Sequence, residues 1–181
     1  LGANGAGKSS LARAITGVVT PSSGQVLIDG QRVTRWAPSR IARLGVAHVP
    51  EGRGIFPGLT VVDNLRIGLR HSVVHHERDD AIDRALARFP ILAERLTQRA
   101  STLSGGQQQM LALARVLAAP PRLLVADELS LGLAPILIDE VFGALREARS
   151  RGATLVLVEQ FVARALDLCD TAVILARGQI V

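Results

Sequence analysis

Lysine is almost absent from this chain: its 181 residues include twenty arginines but a single lysine, Lys8. Lysine carries a compact ammonium on a thin stem, whereas arginine carries a wide planar fork. In a sequence that otherwise uses arginine for positive charge, a retained lysine indicates a place where shape matters, such as a tight loop around a phosphate. The composition therefore suggests a functional role for Lys8.

The chain also has few cysteines and aromatic residues and no long apolar runs, and each of these features excludes a class of protein. The single cysteine, Cys169, excludes an internal disulfide and fits a reducing compartment. Its apolar neighbours favour a small buried residue over a reactive thiol. Tyrosine is missing and aromatic residues make up 3%, which leaves little to stack on bases. The apolar runs, such as 153–158 and 172–176, fit buried strands and are too short to cross a bilayer.

The remaining composition is that of one globular domain, with 48% hydrophobic and 20% charged residues. The net charge of +5 and the sequence pI of about 11.1 can indicate nucleic acid or an anionic membrane surface as a partner. The arginines are scattered, however, with no block of like charges. We therefore favour a compositional bias towards arginine, and we do not expect a nucleic-acid partner.

Hydrophobic periodicity and turn residues predict strands alternating with helices, which is typical of an α/β sheet. The mostly helical stretch 61–119 interrupts this alternation and predicts an inserted helical subdomain between core segments 1–60 and 120–181. The predicted strands are 25–28, 31–33, 45–49, 123–126, 153–158 and 171–176. The first two flank Asp29-Gly30, a hairpin dipeptide. The predicted helices are 7–18, 38–43, 61–70, 75–89, 91–99, 105–118, 135–150 and 161–168.

The chain begins at Leu1, without methionine and one residue before its first motif. That motif, residues 2–9, has the pattern of a phosphate-binding loop, and such loops normally follow a buried parallel strand. We expect residues 1–181 to be a single domain truncated at its N-terminus, and we expect the isolated chain to fold poorly.

Residues 2–9, Gly-Ala-Asn-Gly-Ala-Gly-Lys-Ser, match the P-loop pattern G-x-x-x-x-G-K-[ST]. Three glycines leave backbone N–H groups free to face a phosphate, and the following helix adds the positive end of its dipole. Lys8 can reach the β- and γ-phosphates, Ser9 can ligate Mg²⁺, and Ser10 can add a hydroxyl near the α-phosphate. The predicted nucleotide-binding residues are Gly2, Ala3, Asn4, Gly5, Ala6, Gly7, Lys8, Ser9 and Ser10.

An apolar strand ending in two carboxylates, Asp127 and Glu128, follows about 120 residues later. A strand end beside a P-loop is where a Walker B aspartate holds the metal ion. Asp127 fits that role through a bridging water, and Glu128 fits a general base that polarises the attacking water.

Residues 103–107, Leu-Ser-Gly-Gly-Gln, form a third anion-binding element at a helix start. Ser104 caps the helix, while Gly105 and Gly106 let backbone N–H groups approach phosphate. With Gln107 these residues resemble the signature of ATP-binding-cassette (ABC) ATPases, and the resemblance covers essentially the whole chain. It implies an α/β P-loop NTPase (RecA-like) core with an inserted helical subdomain. It also implies a head-to-tail dimer whose two sites each combine ATP and Mg²⁺ on one subunit with the signature of a second ABC ATPase subunit.

Within this family, three stretches resemble the ATP-binding subunits of bacterial branched-chain amino-acid importers: 48–60, 130–135 and 157–160. Subunits for amides, urea or other polar solutes look similar. The resemblance implies transmembrane permease partners, a periplasmic solute-binding protein acting indirectly, and a peripheral position on the cytoplasmic face of the membrane.

Three residues depart from the general family pattern. Glu51 replaces a loop glutamine and could ligate the metal with full charge. Gln160 replaces the switch histidine and can hydrogen-bond the γ-phosphate or the attacking water, but it does not titrate near neutral pH. The first two replacements fit the branched-chain amino-acid subtype. Leu129 replaces a proline, and we expect it to loosen the turn after the catalytic glutamate.

Two further groups of side chains allow two interpretations each. Ile55, Phe56 and Leu59 either receive a short permease helix or pack the helical subdomain. The histidines at 71, 75 and 76 have a spacing that allows a metal site, but acidic residues follow them, which favours a solvated helix end.

Two functions outside transport compete with the importer. An ABC ATPase acting on nucleic acid or ribosomes would need tandem cassettes, a long coiled coil or a zinc insert, and this sequence contains none of them. A regulatory module without hydrolysis is disfavoured because Lys8, Asp127 and Glu128 are all present.

Overall fold

The computed structural model describes residues 1–52, 54–69, 73–159 and 161–181, and strands and helices alternate along them as expected for an α/β fold. The strands are β1 (Leu27–Ile28), β2 (Gln31–Arg32), β3 (Val46–Val49), β4 (Leu123–Asp127), β5 (Thr154–Val158), β6 (Leu175–Ala176) and β7 (Gln179–Ile180). The α-helices are α1 (Lys8–Ile15), α2 (Pro38–Ala42), α3 (Val61–Leu69), α4 (Arg78–Arg88), α5 (Pro90–Ala93), α6 (Gly105–Leu117), α7 (Pro135–Ser150) and α8 (Val162–Leu166).

The central sheet is parallel, with the strand order β3-β4-β5. Its middle strand, β4, is buried from Leu124 onward, as its unbroken apolar sequence predicts. The register pairs Val49 with Ala126 and Asp127 with Val158, so the carboxyl ends of the strands meet at one edge. Ligands of parallel α/β sheets bind at this edge.

The largest hydrophobic core joins α3, α4, α6 and α7 to β4. Its fully buried members include Leu65, Phe89, Leu111 and Phe142. Truncating a buried phenylalanine such as Phe142 to alanine would cost about 3–5 kcal/mol. The four helices between β3 and β4 share this core, and the division into a RecA-like core and a helical subdomain at 61–119 stays a prediction.

The Asp29-Gly30 hairpin is confirmed. β1 pairs antiparallel with β2, and both turn residues have positive φ, 49° and 74°. Such a turn matches the twist of the flanking strands.

The first helix is shorter than the predicted range 7–18. Gly17 takes a left-handed φ of 74°, and the Val18 N–H donates to the Arg13 carbonyl at 2.9 Å. This is the usual way in which a glycine ends a helix, so α1 stops at Ile15.

The helix predicted over 91–99 is wrong beyond α5. The carbonyls of Leu96 and Gln98 instead accept from the N–H groups of Val62 and Val61, both at 3.0 Å. These donors lie in the first turn of α3, where the helix offers them no partner of its own. Residues 96–98 therefore cap α3, which local periodicity could not reveal.

The strand predicted over 171–176 is also shorter, because only β6 forms there and it pairs with β7. The Leu175 N–H donates to the Leu1 carbonyl at 2.8 Å, and the Leu1 amino group donates to the Val173 carbonyl at 2.7 Å. A cavity of about 540 Å³ separates this segment from β5. The segment therefore does not join β5 in the central sheet.

Across the part of the chain that the structure describes, every helix is too short or too polar to span a membrane.

Candidate functional site

The P-loop wraps the N-terminus of α1. Gly7 precedes the helix with φ 103°, a conformation that a residue with a side chain rarely adopts. Ala6 is buried and its N–H donates to the Ala3 carbonyl at 3.1 Å, while Ala3, Asn4 and Gly5 are exposed. An exposed loop on the positive end of a helix is suited to binding an anion.

Lys8 points back into this loop. Its side chain is 5% exposed, and its Nζ donates to the Ala3 carbonyl at 3.0 Å. The same nitrogen lies 3.8 Å from an Oε1 of Glu128. The lone lysine is therefore held between the P-loop and the end of β4, in a space that little water reaches.

Ser9 and Asp127 are brought together from positions 118 residues apart. The Ser9 hydroxyl donates to an Oδ1 of Asp127 at 3.1 Å, and Asp127 is only 1% exposed at the end of β4. A hydroxyl and a carboxylate are hard oxygen ligands of the kind that Mg²⁺ prefers. Ser10 is exposed on the first turn of α1. The donor set at Ser9 and Asp127 thus fits the predicted metal.

Glu128 directly follows β4 in an unusual backbone conformation. Its φ of 52° is left-handed, and its N–H donates to the Val158 carbonyl at 2.8 Å. Such conformations cost of order 1–3 kcal/mol and concentrate at functional sites. Leu129 is 1% exposed and packs in the main core. Its burial anchors the turn after Glu128, whereas we expected the leucine to loosen that turn.

One predicted metal ligand, Glu51, is not brought into contact with this group. Glu51 is exposed in the loop after β3, and across the described residues no hydrogen bond or ion pair joins it to Ser9 or Asp127. Gln160 lies outside the described residues. The metal role of Glu51 and the switch role of Gln160 stay predictions.

The Ser-Gly-Gly-Gln segment opens α6 with a capping box. The Ser104 hydroxyl accepts from the Gln107 N–H at 3.4 Å, and the Gln107 Oε1 accepts from the Ser104 N–H at 2.9 Å. Ser104 and Gly105 are exposed. A side chain at Gly106 would meet Leu137 of α7 at 2.2 Å, so this glycine lets α6 and α7 approach closely.

The signature and the P-loop open helices that belong to different hydrophobic clusters, although both clusters include residues of β4. α6 packs on α3, α4, α5, α7 and β3, whereas α1 packs on β4 and β5. Both motifs have exposed residues, the P-loop at residues 3–5 and the signature at Ser104 and Gly105.

The loop after β3 is tied to α6. Arg115 donates from its guanidinium to the Gly54 carbonyl at 2.5 Å, and its charge lies 5.1 Å from the centre of the Phe56 ring. Burial lowers the pKa of Arg115 from its ordinary value. Phe56 is 43% exposed, Ile55 packs against the core, and Leu59 is half-buried. Of the three apolar candidates, Phe56 is the exposed one.

His48 lies on β3, near enough to Asp127 for the two charges to interact, and sequence reasoning gave it no role of its own. Burial is the largest cause of a lowered pKa at His48; the charge of Asp127 opposes the shift and that of Arg13 adds to it. Its Nδ1 lies 3.4 Å from the Thr16 hydroxyl, while its buried Nε2 has no hydrogen-bond partner among the described residues. The other residues of β3 are apolar, so a histidine among them was the signal that the sequence offered.

Cys169, His75 and His76 have surroundings that do not suggest a site. Cys169 is half-buried, and burial raises the pKa of its thiol, which disfavours the reactive thiolate. His75 and His76 are exposed in a 3₁₀ turn before α4, as a solvated helix end predicts. His71 lies outside the described residues.

Comparison with known proteins supports the same family. The family model described as "ABC transporter" matches residues 1–130. The high-affinity branched-chain amino acid transport ATP-binding protein BraG of Pseudomonas aeruginosa is 45% identical over 184 residues, covering 100% of this chain and 77% of the relative. A probable branched-chain amino acid transport ATP-binding protein, LivF of Archaeoglobus fulgidus, is 39% identical over 99% of this chain and 76% of the relative.

A solved ATP-binding subunit of an ABC transporter superposes with a TM-score of 0.88 at 29% identity, covering 99% of this chain and 74% of that one. Together with the P-loop, the buried Asp127 and the capped signature helix, these matches decide the family. The chain belongs to the ABC transporter family and is one of its ATP-binding subunits, an ATPase.

Proposed function

We propose that this ATPase powers an importer for branched-chain amino acids, with Glu128 as the base that activates water. The carrying observation is the convergence of Lys8, Ser9, Asp127 and Glu128 at one edge of the parallel sheet, in a chain 45% identical to a subunit of such a transporter. A peripheral place on the cytoplasmic face of the inner membrane follows from the same proposal.

Each residue has a separate task in hydrolysis. The P-loop N–H groups of residues 2–7 and the Lys8 ammonium bind the phosphates of ATP, and the Lys8 charge offsets the negative charge that develops on the γ-phosphate. The Glu128 carboxylate accepts a proton from the attacking water. Because its side chain is 9% exposed, little bulk water competes for that carboxylate.

Ser9 and Asp127 would hold the Mg²⁺ ion, with Glu51 as a further proposed ligand. When bound, the metal would neutralise charge on the β- and γ-phosphates. Asp127 is ready for this task because its burial and its bond from Ser9 fix its orientation. Gln160 is proposed to hydrogen-bond the γ-phosphate or the attacking water.

A second ABC ATPase subunit, either a copy of this chain or a related one, is proposed to complete each site. Its signature, Ser104 to Gln107, would supply N–H donors from the start of α6 to the γ-phosphate bound by the first subunit. Hydrolysis removes these γ-phosphate contacts, so the dimer opens.

Coupling to the permease is proposed to run through the loop 51–59. Phe56 offers exposed apolar surface, and Arg115 fixes the loop to the signature helix. A permease helix that presses on this loop would therefore also move the signature. The periplasmic solute-binding protein would act on the permease and would touch this chain only indirectly.

Uptake in the source organism tests the transport proposal. Deleting the gene should abolish high-affinity uptake of radiolabelled leucine, isoleucine and valine while urea uptake continues. The wild-type gene should restore uptake, and a Glu128→Gln gene should not. Unchanged leucine uptake in the deletion strain, or loss of urea uptake instead, would contradict the proposed substrate class.

A further inference from the structure

Ser130 and Glu159 form a buried polar pair beside the catalytic group. Glu159 is 3% exposed directly after β5, and Ser130 is 1% exposed two residues after Glu128. The Ser130 N–H donates to Glu159 Oε1 at 3.3 Å, and the Ser130 hydroxyl donates to Glu159 Oε2. Burying a carboxylate is costly unless its hydrogen bonds are made. The bonds from Ser130 therefore fix where the Glu159 carboxylate lies.

This pair attaches the chain just after Glu128 to the end of β5. The bond from the Glu128 N–H to the Val158 carbonyl attaches Glu128 itself to the same strand. Val158 and Glu159 are consecutive, and so the end of β5 holds the chain both at Glu128 and just after it. Between the attachments the backbone keeps the left-handed φ of 52° at Glu128.

The same pair supports the exposed loop that follows. The Leu133 N–H donates to the Ser130 carbonyl at 3.2 Å, and the Leu131 N–H donates to the Glu128 carbonyl at 3.3 Å. Leu131 is 52% exposed. Ser130 thus joins the buried site to a surface loop.

We propose that Glu159 is a positioning residue for hydrolysis: through Ser130 it holds Glu128 and the loop 131–134 in the geometry that catalysis requires. This inference rests on the proposed role of Glu128 as the base. The bonds between Glu159 and Ser130 support the segment of the base and not the P-loop, so we expect no role for Glu159 in ATP binding. Its loss should therefore lower kcat and leave ATP binding nearly unchanged.

The main test uses Glu159→Ala and Glu159→Gln in the purified protein. A misplacement of about 1 Å can slow a reaction by about 100-fold, so we expect Glu159→Ala to lower kcat by between about 10- and 100-fold. The Kd for ATP should change less than about twofold. Glu159→Gln should recover most of the activity, because its amide oxygen can accept the Ser130 N–H and its amide N–H can donate to the hydroxyl.

If the Glu159 variants misfold, Ser130→Ala still tests the pair, because this substitution removes only the hydroxyl. It should lower kcat several-fold in the wild-type background and have little effect in the Glu159→Ala background, as expected for two residues that act as one unit. Wild-type kcat in Glu159→Ala, a parallel loss of ATP binding, or fully additive effects of the two substitutions would each overturn the proposal.

Glu128→Gln, assayed alongside, separates this inference from the proposed base. If Glu128→Gln abolishes turnover while Glu159→Ala does not change it, the positioning role is wrong and the base stands. If Glu128→Gln turns over normally, the base assignment is wrong, and the positioning role falls with it.

Discussion

The Lys8 Nζ lies 3.8 Å from Glu128 Oε1, and both side chains are at least nine-tenths buried. The cation that would bind the γ-phosphate and the carboxylate that would activate water therefore share one poorly hydrated space. Each charge partly balances the other, and a substitution that removes one of them disturbs both. Informative variants at this pair must preserve either the charge or the shape of the side chain.

Lys8→Arg preserves the charge but not the shape. The guanidinium is too wide for the space between the Ala3 carbonyl and Glu128, so we expect loss of ATP turnover by about 100-fold or more. The rate of phosphate release at saturating ATP measures this turnover. The reverse exchange at an exposed arginine of the surface, Arg43→Lys, is the matched control and should keep wild-type turnover. Wild-type turnover in Lys8→Arg would show that shape does not matter at this position.

Ser104 has a structural task and a proposed catalytic task, which two variants separate. Ser104→Ala removes the capping box and should lower the free energy of unfolding in urea by about 1 kcal/mol. Ser104→Asp keeps a side-chain cap, so its stability should stay near that of the wild type.

The added carboxylate of Ser104→Asp would repel the γ-phosphate bound by the second subunit, however, and ATP turnover should fall at least tenfold. Ser101→Ala, at a nearby exposed serine, controls for both measurements. Full activity in Ser104→Asp would argue against a role of the signature in binding phosphate.

His48 makes stability depend on pH in a defined direction. Burial lowers the pKa of His48 below 6.5, so the unfolded chain takes up a proton there more readily than the folded one. The stabilising effect of the neutral ring is complete above pH 6.5 and is lost as the pH falls towards the lowered pKa. The Tm of the wild type should fall more between pH 7.5 and 5.5 than the Tm of His48→Val.

All other titrating groups are shared by the wild type and His48→Val. Their effects therefore cancel when the Tm changes of the two proteins are compared. Valine suits β3, and it removes the buried Nε2 that has no hydrogen-bond partner among the described residues. Parallel Tm curves over this pH range would mean that His48 does not titrate differently in the folded and unfolded states.

Local sequence signals predicted the elements that local chemistry decides. The P-loop before α1, the Asp29-Gly30 turn and the Ser104 cap each depend on residues within a few positions of one another. The parallel sheet followed from three apolar runs separated by helices, and the end of β4 placed Asp127 and Glu128 correctly beside Lys8.

Two of the errors arose where distant backbone groups pair. Residues 96–98 cap α3 instead of extending a helix, and the predicted strand 171–176 is reduced to β6, where Leu175 also pairs with Leu1. Periodicity carries no information on such partners. The Ser130–Glu159 pair was missed for the same reason, although an apolar strand ending in a carboxylate was the signal that had already identified Asp127.

Glu128→Gln, studied for ATP binding and for a single turnover in the same preparation, tests the central claim most directly. Glutamine keeps the shape of the side chain but cannot accept the proton of the attacking water. We expect near-stoichiometric ATP binding, accumulation of an ATP-bound dimer, and hydrolysis slowed by about 100-fold or more, while Glu140→Gln on the exposed face of α7 behaves as the wild type. Near-normal hydrolysis by Glu128→Gln would contradict the assignment of Glu128 as the base.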